Sequence, residues 1–253
     1  LPSSFRPFTQ WESDLVGLST DADRRKRDDQ DESMRHYIDI DSYSAFFRGT
    51  LPHDWDQMVA TYGTYQVEDN GILPWAIDAS LETLTERFAV GDWVGAVAAA
   101  ADIGHYVGDL HNPLHLTVNF DGQLTGQDGI HSRFESDMTQ RHLSELQPYP
   151  EQADVLQEPL ERVFDWIDEQ YPGVETILVA DLEAVQEAGN DWSDAYYNAL
   201  WAGLGLETRG WIAAASVRIA SLWYTAWVAA GSPPLPGSVP VQATTWGRLK
   251  ALY

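Results

Sequence analysis

The sequence predicts an all-α fold, a single mainly helical domain over residues 1–253 with long loops at one end. Three observations carry this: apolar residues recur at helical spacing through most of the chain, convincing alternation of period two is almost absent, and no internal repeat is evident. Over 81–101, Leu81, Leu84, Phe88, Trp93, Val94 and Val97, interspersed with Ala, predict one or two long helices running on towards His105. Pro113 interrupts the pattern, and 119–129, rich in Gly, Asp, Gln and Asn, reads as a loop. A helix reopens at His131 with Phe134 and Met138 on its inner face. Further helices are predicted over 154–170, over 177–188 with a break at Gly189-Asn190, over 191–204 and over 208–230. Gly231-Ser232-Pro233-Pro234 removes backbone donors and stops the last of them.

The stretch 211–230 is apolar enough to suggest a membrane span, but Arg218 lies near its middle and Ser216, Ser221 and Thr225 interrupt it. A buried core helix is the reading, with Trp211, Trp223 and Trp227 as core. No transmembrane segment and no signal peptide are predicted.

Hydrophobic residues make up 44% of the chain and tryptophan alone contributes 11, which excludes a disordered composition. With no cysteine there is no disulfide framework and no thiolate site, so any metal must be held by His, Asp and Glu. A net charge of −24 repels phosphate backbones at long range and argues against stable binding of duplex DNA. An enzyme is not excluded, because bound metals reverse the sign locally. Two readings of the acidity stay open: a solvated acidic shell in salty surroundings, or an ordinary acidic protein from a GC-rich genome.

The chemistry concentrates in Gly104-His105-Tyr106-Val107-Gly108-Asp109-Leu110-His111-Asn112-Pro113-Leu114-His115 and in Gly129-Ile130-His131-Ser132-Arg133-Phe134-Glu135. Positions four apart share a helix face, so His105 and Asp109 can chelate one cation, and His131 and Glu135 can do so from a second helix. His115 follows a Pro-containing turn and can reach the second pair. A sulfur-free set rich in imidazole favours Zn²⁺ over Mn²⁺ or Fe²⁺. His36 and one early aspartate, Asp21 or Asp23, are candidate completing ligands, and Arg24, Arg25 and Lys26 bring positive charge towards an anionic substrate. His111 lies off the ligand face and reads as a supporting or exposed residue; His53 and His142 read as surface residues.

These residues resemble the superfamily of S1/P1-type nucleases and bacterial zinc-dependent phospholipase C. The resemblance rests on Asp21-Ala22-Asp23-Arg24, His36-Tyr37-Ile38-Asp39, Gly71-Ile72-Leu73-Pro74-Trp75, the central motif and Leu222-Trp223-Tyr224-Thr225-Ala226-Trp227. It implies a mainly helical domain around a zinc cluster of two or three ions. By position, His36, His105, Asp109 and the early aspartate would hold one zinc, with Asp109 bridging to another, while His115, His131 and Glu135 would hold a separate one. It further implies an N-terminal Trp and His that complete the third site; this sequence begins at Leu1 and has no His before His36, so those ligands are either missing or lie upstream. Export to the periplasm or medium is likewise implied. Glu135 as the last ligand points to the phospholipase branch. His36-Tyr37-Ile38-Asp39 points to the nuclease branch, in which Tyr37 would stack a base and Asp39 would hydrogen-bond its edge.

The function expected is zinc-dependent hydrolysis of a phosphate ester, a phosphodiesterase of phospholipase C or single-strand endonuclease type. Zinc lowers the pKa of water from about 15.7 to about 7, which makes a nucleophile at neutral pH. Asp109 or Asp23 would orient that water, and Arg24 or Lys26 with Asn119 would contact the phosphate. The substrate is expected to be a phospholipid, single-stranded nucleic acid or nucleotide. Two other classes stay open: a metal-stabilised binding protein without catalysis, and a nucleotide phosphomonoesterase.

Overall fold

A computed structural model describes residues 1–146 and 152–237, and every regular element among them is helical. The predicted domain thus runs past the described residues at its C-terminal end. Ten helices are named here: α1 (Glu12–Leu18), α2 (Asp21–Arg25), α3 (Trp55–Tyr62), α4 (Thr64–Asp69), α5 (Leu73–Val90), α6 (Trp93–Leu110), α7 (130–141), α8 (Pro159–Gln170), α9 (Gly173–Ala188) and α10 (Asp194–Ala229). Within α7, Arg133–Met138 is a π-helical segment between two short α-helical turns. Short 3₁₀ turns at Ser33–His36 and Pro113–Leu116 carry two of the candidate histidines.

The stretch predicted as one or two helices over 81–101 belongs to the separate helices α5 and α6. Gly91 ends α5 in the left-handed conformation (φ 71°), and the Asp92 side chain caps α6 by accepting from the Gly95 N–H. Helix α6 buries Ala96, Val97, Ala100, Ile103, Val107 and Leu110, and its small residues pack against α5. That leaves His105 and Asp109, one turn apart, at the surface of this packed pair.

Two apolar clusters hold the helices. The larger gathers α5, α6, α8 and the C-terminal part of α10 with the N-terminal Phe5 and Phe8, whose rings stack at 4.9 Å. The smaller gathers Ile130, Phe134 and Met138 of α7 with Ile177 of α9 and Tyr196, Leu200 and Leu204 of α10. Helix α10 runs through both. The two helices predicted over 191–204 and 208–230 are therefore one, 36 residues long. Gly203 and Gly205 each cost a helix about 1 kcal/mol relative to Ala. Burial on either side of them outweighs that, and a Cβ at Gly203 would lie 3.2 Å from that of Ala180 on α9.

Helix α8 starts at Pro159, later than the predicted 154. The Asp154 and Leu156 N–H groups donate instead to the Ser221 and Thr225 hydroxyls, so the polar residues that interrupt α10 tether this segment. Helix α10 is long and apolar enough to cross a membrane by length and composition. In this fold Leu222, Ala226 and Trp227 are buried in the larger cluster, and Arg218 pairs with Glu169 of α8.

Candidate metal centre

His105 and Asp109 project from one face of α6 towards His36, which the turn Ser33–His36 delivers from the other side. His36 Nδ1 lies 2.9 Å from Asp109 Oδ2 and 3.1 Å from His105 Nε2. Asp23 Oδ1, on α2, lies 3.8 Å from His36 Nδ1 and 3.7 Å from His105 Nε2. These four residues form the first group. In the second, Glu135 Oε2 is 2.8 Å from His131 Nε2 and 3.3 Å from His115 Nε2, and the two imidazole nitrogens are 3.1 Å apart. Asp109 belongs to the first group; its second oxygen lies 3.9 Å from His115 Nδ1, the nitrogen on the side of that ring away from Glu135.

Backbone carbonyls orient the imidazoles. Nδ1 of His105 donates to the Ser19 carbonyl, Nδ1 of His115 to that of His36, and Nδ1 of His131 to that of Phe120, at 2.7, 2.7 and 3.1 Å. Each bond places the ring hydrogen on Nδ1 and leaves Nε2 as a bare acceptor. In the second group three acceptor atoms then face one another at hydrogen-bond distance, an arrangement that calls for a cation or extra protons among them. The donor set fits a metal ion: nitrogen and oxygen ligands only, each histidine fixed by a partner on its other nitrogen.

Electrostatics follow the same logic. With a proton added on Nε2, His115 and then His131 donate to Glu135 and hold its carboxyl far below the usual range, outweighing its partial desolvation. Burial opposes protonation of His115, but Glu135 and Asp109 outweigh it and raise its pKa. Burial likewise works against ionisation of Asp23, yet the bond from Lys26 (2.8 Å) and the neighbouring imidazoles bring its pKa down.

A cavity of about 450 Å³ opens beside both groups, lined by Lys26, Tyr37, Asp39, His36, His115 and His131, with Ser33, Leu114 and Phe120 completing the wall. Gly71, at φ +85°, lets the 36–39 segment lie against α5, since a Cβ there would come within 2.2 Å of the Tyr37 carbonyl oxygen. Burial, with Asp41 and Asp69 nearby, lifts the Asp39 carboxyl to about 6.

Four of the residues proposed from sequence stand elsewhere; one, Arg25, is held behind the centre by Glu32, Asp102 and Tyr106 and does not line the cavity. Asp21 pairs with Arg24 on the outer face of α2 and joins neither group, because helical periodicity turns it away from Asp23. Arg24 is held by that pairing, largely exposed, and does not line the cavity. Asn119 is buried and spends its amide inside the loop, accepting from the Leu124 N–H and donating to Thr125. His111 is buried behind the centre, donating to the Val107 carbonyl and accepting from Arg218; burial, then Arg218, lower its pKa to about 3. His53 pairs with Glu161 and stacks on Phe164, and His142 pairs with Glu145 and stacks on Trp201.

Sequence reading missed Phe120, half-exposed in the cavity wall, whose only signal was its place in the loop 119–129. It also missed Asn112, which donates to Glu135 at 2.8 Å, and Glu32. Glu32 sits four residues before His36, a spacing that could have found it.

No family model and no solved structure matches the chain. A curated protein of Bradyrhizobium tropiciagri named as a probable serine protease aligns at 24% identity over 264 residues, which covers 82% of this chain. The chain spans about a third of that protein's length, 33%.

Proposed function

We propose that the protein is a zinc-dependent phosphodiesterase, hydrolysing a phosphate ester at the cavity beside the two ligand groups. The observation that carries this reading is that both groups share one cavity with a cation, Lys26, and with an aromatic ring and a carboxyl, Tyr37 and Asp39. The resemblance of the central motif to S1/P1-type nucleases and zinc-dependent phospholipase C supports the same chemistry.

Asp23, His36, His105 and Asp109 would hold one ion and His115, His131 and Glu135 another. Zinc bound there supplies Lewis-acid stabilisation of charge on a phosphoryl group and lets water act as a nucleophile near neutral pH. Lys26 offers its ammonium to a phosphate oxygen from the cavity wall. Asp109, in the first group, would accept a hydrogen bond from the attacking water and orient it. Tyr37 and Asp39 are placed to receive a planar group that donates hydrogen bonds, which favours single-stranded nucleic acid or a nucleotide over a phospholipid.

The name of the Bradyrhizobium protein agrees at the level of hydrolysis. A serine protease needs an imidazole that accepts from a serine hydroxyl. The hydrogen-bond partners of His36, His105, His115 and His131 are carboxylates, imidazoles and backbone carbonyls. The matched segment is also only a third of that protein.

Hydrolysis of single-stranded DNA, RNA, 3′-nucleotides and phosphatidylcholine, assayed side by side with zinc and with EDTA, tests the proposal. EDTA-sensitive cleavage of a nucleic acid substrate is expected. If all four are inert with zinc bound, the phosphoesterase reading fails.

A further inference from the structure

His36 differs from the other three histidines of the centre. They turn Nε2 inward and tie Nδ1 to a backbone carbonyl, whereas His36 turns Nδ1 inward and has no carbonyl behind it. Its Nε2 is buried without a hydrogen-bond partner, and Glu32 Oε1 lies 3.4 Å from it.

Glu32 is a carboxylate with no exposed surface, and its surroundings explain how it stays charged. Arg25 reaches both oxygens at 3.1 and 3.2 Å, Arg35 reaches Oε2 at 2.6 Å, and the Tyr106 hydroxyl donates to Oε1 at 2.5 Å. Arg25 is itself anchored to Asp102 on α6, and Tyr106 also lies on α6, beside His105. A carboxylate held by two guanidiniums and a phenol lacks the free charge to compete for a cation. It keeps acceptor capacity on the side facing the imidazole.

We propose that Glu32 is the positioning residue of the first ligand group: it accepts from His36 Nε2–H and so keeps the Nδ1 lone pair aimed at His105, Asp109 and Asp23. This rests on the metal reading given above, though not on any activity. It assigns Arg25, Arg35 and Tyr106 as the frame that holds Glu32. It also explains why a buried acid with two arginines lies behind an acidic protein's candidate centre. Carboxylate partners of this kind orient a ligating imidazole and raise its basicity.

Two measurements test it, neither of them catalytic. In nitrogen–hydrogen correlation spectra of the unaltered chain, His36 Nε2 is expected to carry hydrogen throughout the pH range of the folded protein. A bare His36 Nε2 would overturn the proposal. In Glu32→Gln the charge is lost and the amide must turn its NH₂ towards one of four donors. Zinc affinity of the first group, read by competition with a chromophoric chelator, is then expected to fall about 10- to 100-fold while the second group is unchanged. Unaltered affinity of the first group, or an equal loss at both, would overturn it. Should Glu32→Gln not fold, the unaltered chain's spectrum decides. If the zinc-loaded chain cleaves no phosphate ester while both measurements come out as stated, the proposed function fails and the role of Glu32 stands.

Discussion

The two ligand groups differ in how they are built. The first joins residues of α2, the 33–36 turn and α6 across a long sequence separation, and its central histidine is sealed, with a side chain 3% exposed. The second comes from the 113–116 turn and the start of α7, and its Glu135 side chain is 49% exposed. A site assembled from distant segments exists only when the helices around it have packed. One assembled within a short stretch depends more on its own loop. The two are clasped to each other, since the His36 carbonyl accepts from His115 Nδ1 and the Ile38 N–H donates to the His115 carbonyl at 2.9 Å.

This contrast can be broken by substitution. His36→Ala empties a buried position between Glu32 and Asp109 and should lower stability by about 2–4 kcal/mol, read by urea unfolding of the metal-free chain. It should also remove one zinc per chain. A loss no larger than that of the matching change in the second group would contradict the difference drawn here.

Asp39 sharpens the comparison, because it lies on the same segment as His36 and faces the cavity. Its carboxyl is lifted from 3.8 to about 6 by burial and by Asp41 and Asp69, so the folded chain binds this proton more tightly than the unfolded one. The stability from that proton is complete below pH 4 and is lost as pH rises through 6. Asp39→Asn should therefore match the parent near pH 3 and exceed it by about 3 kcal/mol at pH 7.5. A constant difference across that range would show that the segment carries no such strain.

The smallest effect is expected at His131→Ala. With the ring partly exposed and bonded to loop atoms, the metal-free chain should lose no more than about 1 kcal/mol, although the second zinc should no longer bind. Unfolding curves and metal analysis of the same preparation report both quantities. Retention of that zinc would remove His131 from the ligand set.

Much of the centre was legible because it is local. The pairs His105 with Asp109 and His131 with Glu135 follow from helical spacing, and both pairs meet in the fold at 3.4 and 2.8 Å. The choice between Asp21 and Asp23 was not legible. On α2 the two lie two residues apart, and only the docking of α2 on α6 decides which one faces His105. Asn119 misled for a related reason: an amide in a Gly-rich loop reads equally as a ligand contact or as the loop's own brace, and here the backbone takes it. The break expected in α10 failed because glycine propensity is a local term of about 1 kcal/mol, smaller than the burial gained where α10 crosses two clusters.

By itself the sequence determined the all-helical class, the absence of thiolate chemistry and the pairing of candidate ligands one helical turn apart. All three are set by composition or by contacts within a few residues. Tertiary structure alone decided that the two groups share a cavity, that the His36 and His115 segments clasp each other and that Glu32 with its arginines lies behind His36. Those relations join segments tens of residues apart, and no local preference encodes them; they arise only when the apolar faces of α5, α6 and α10 are buried together.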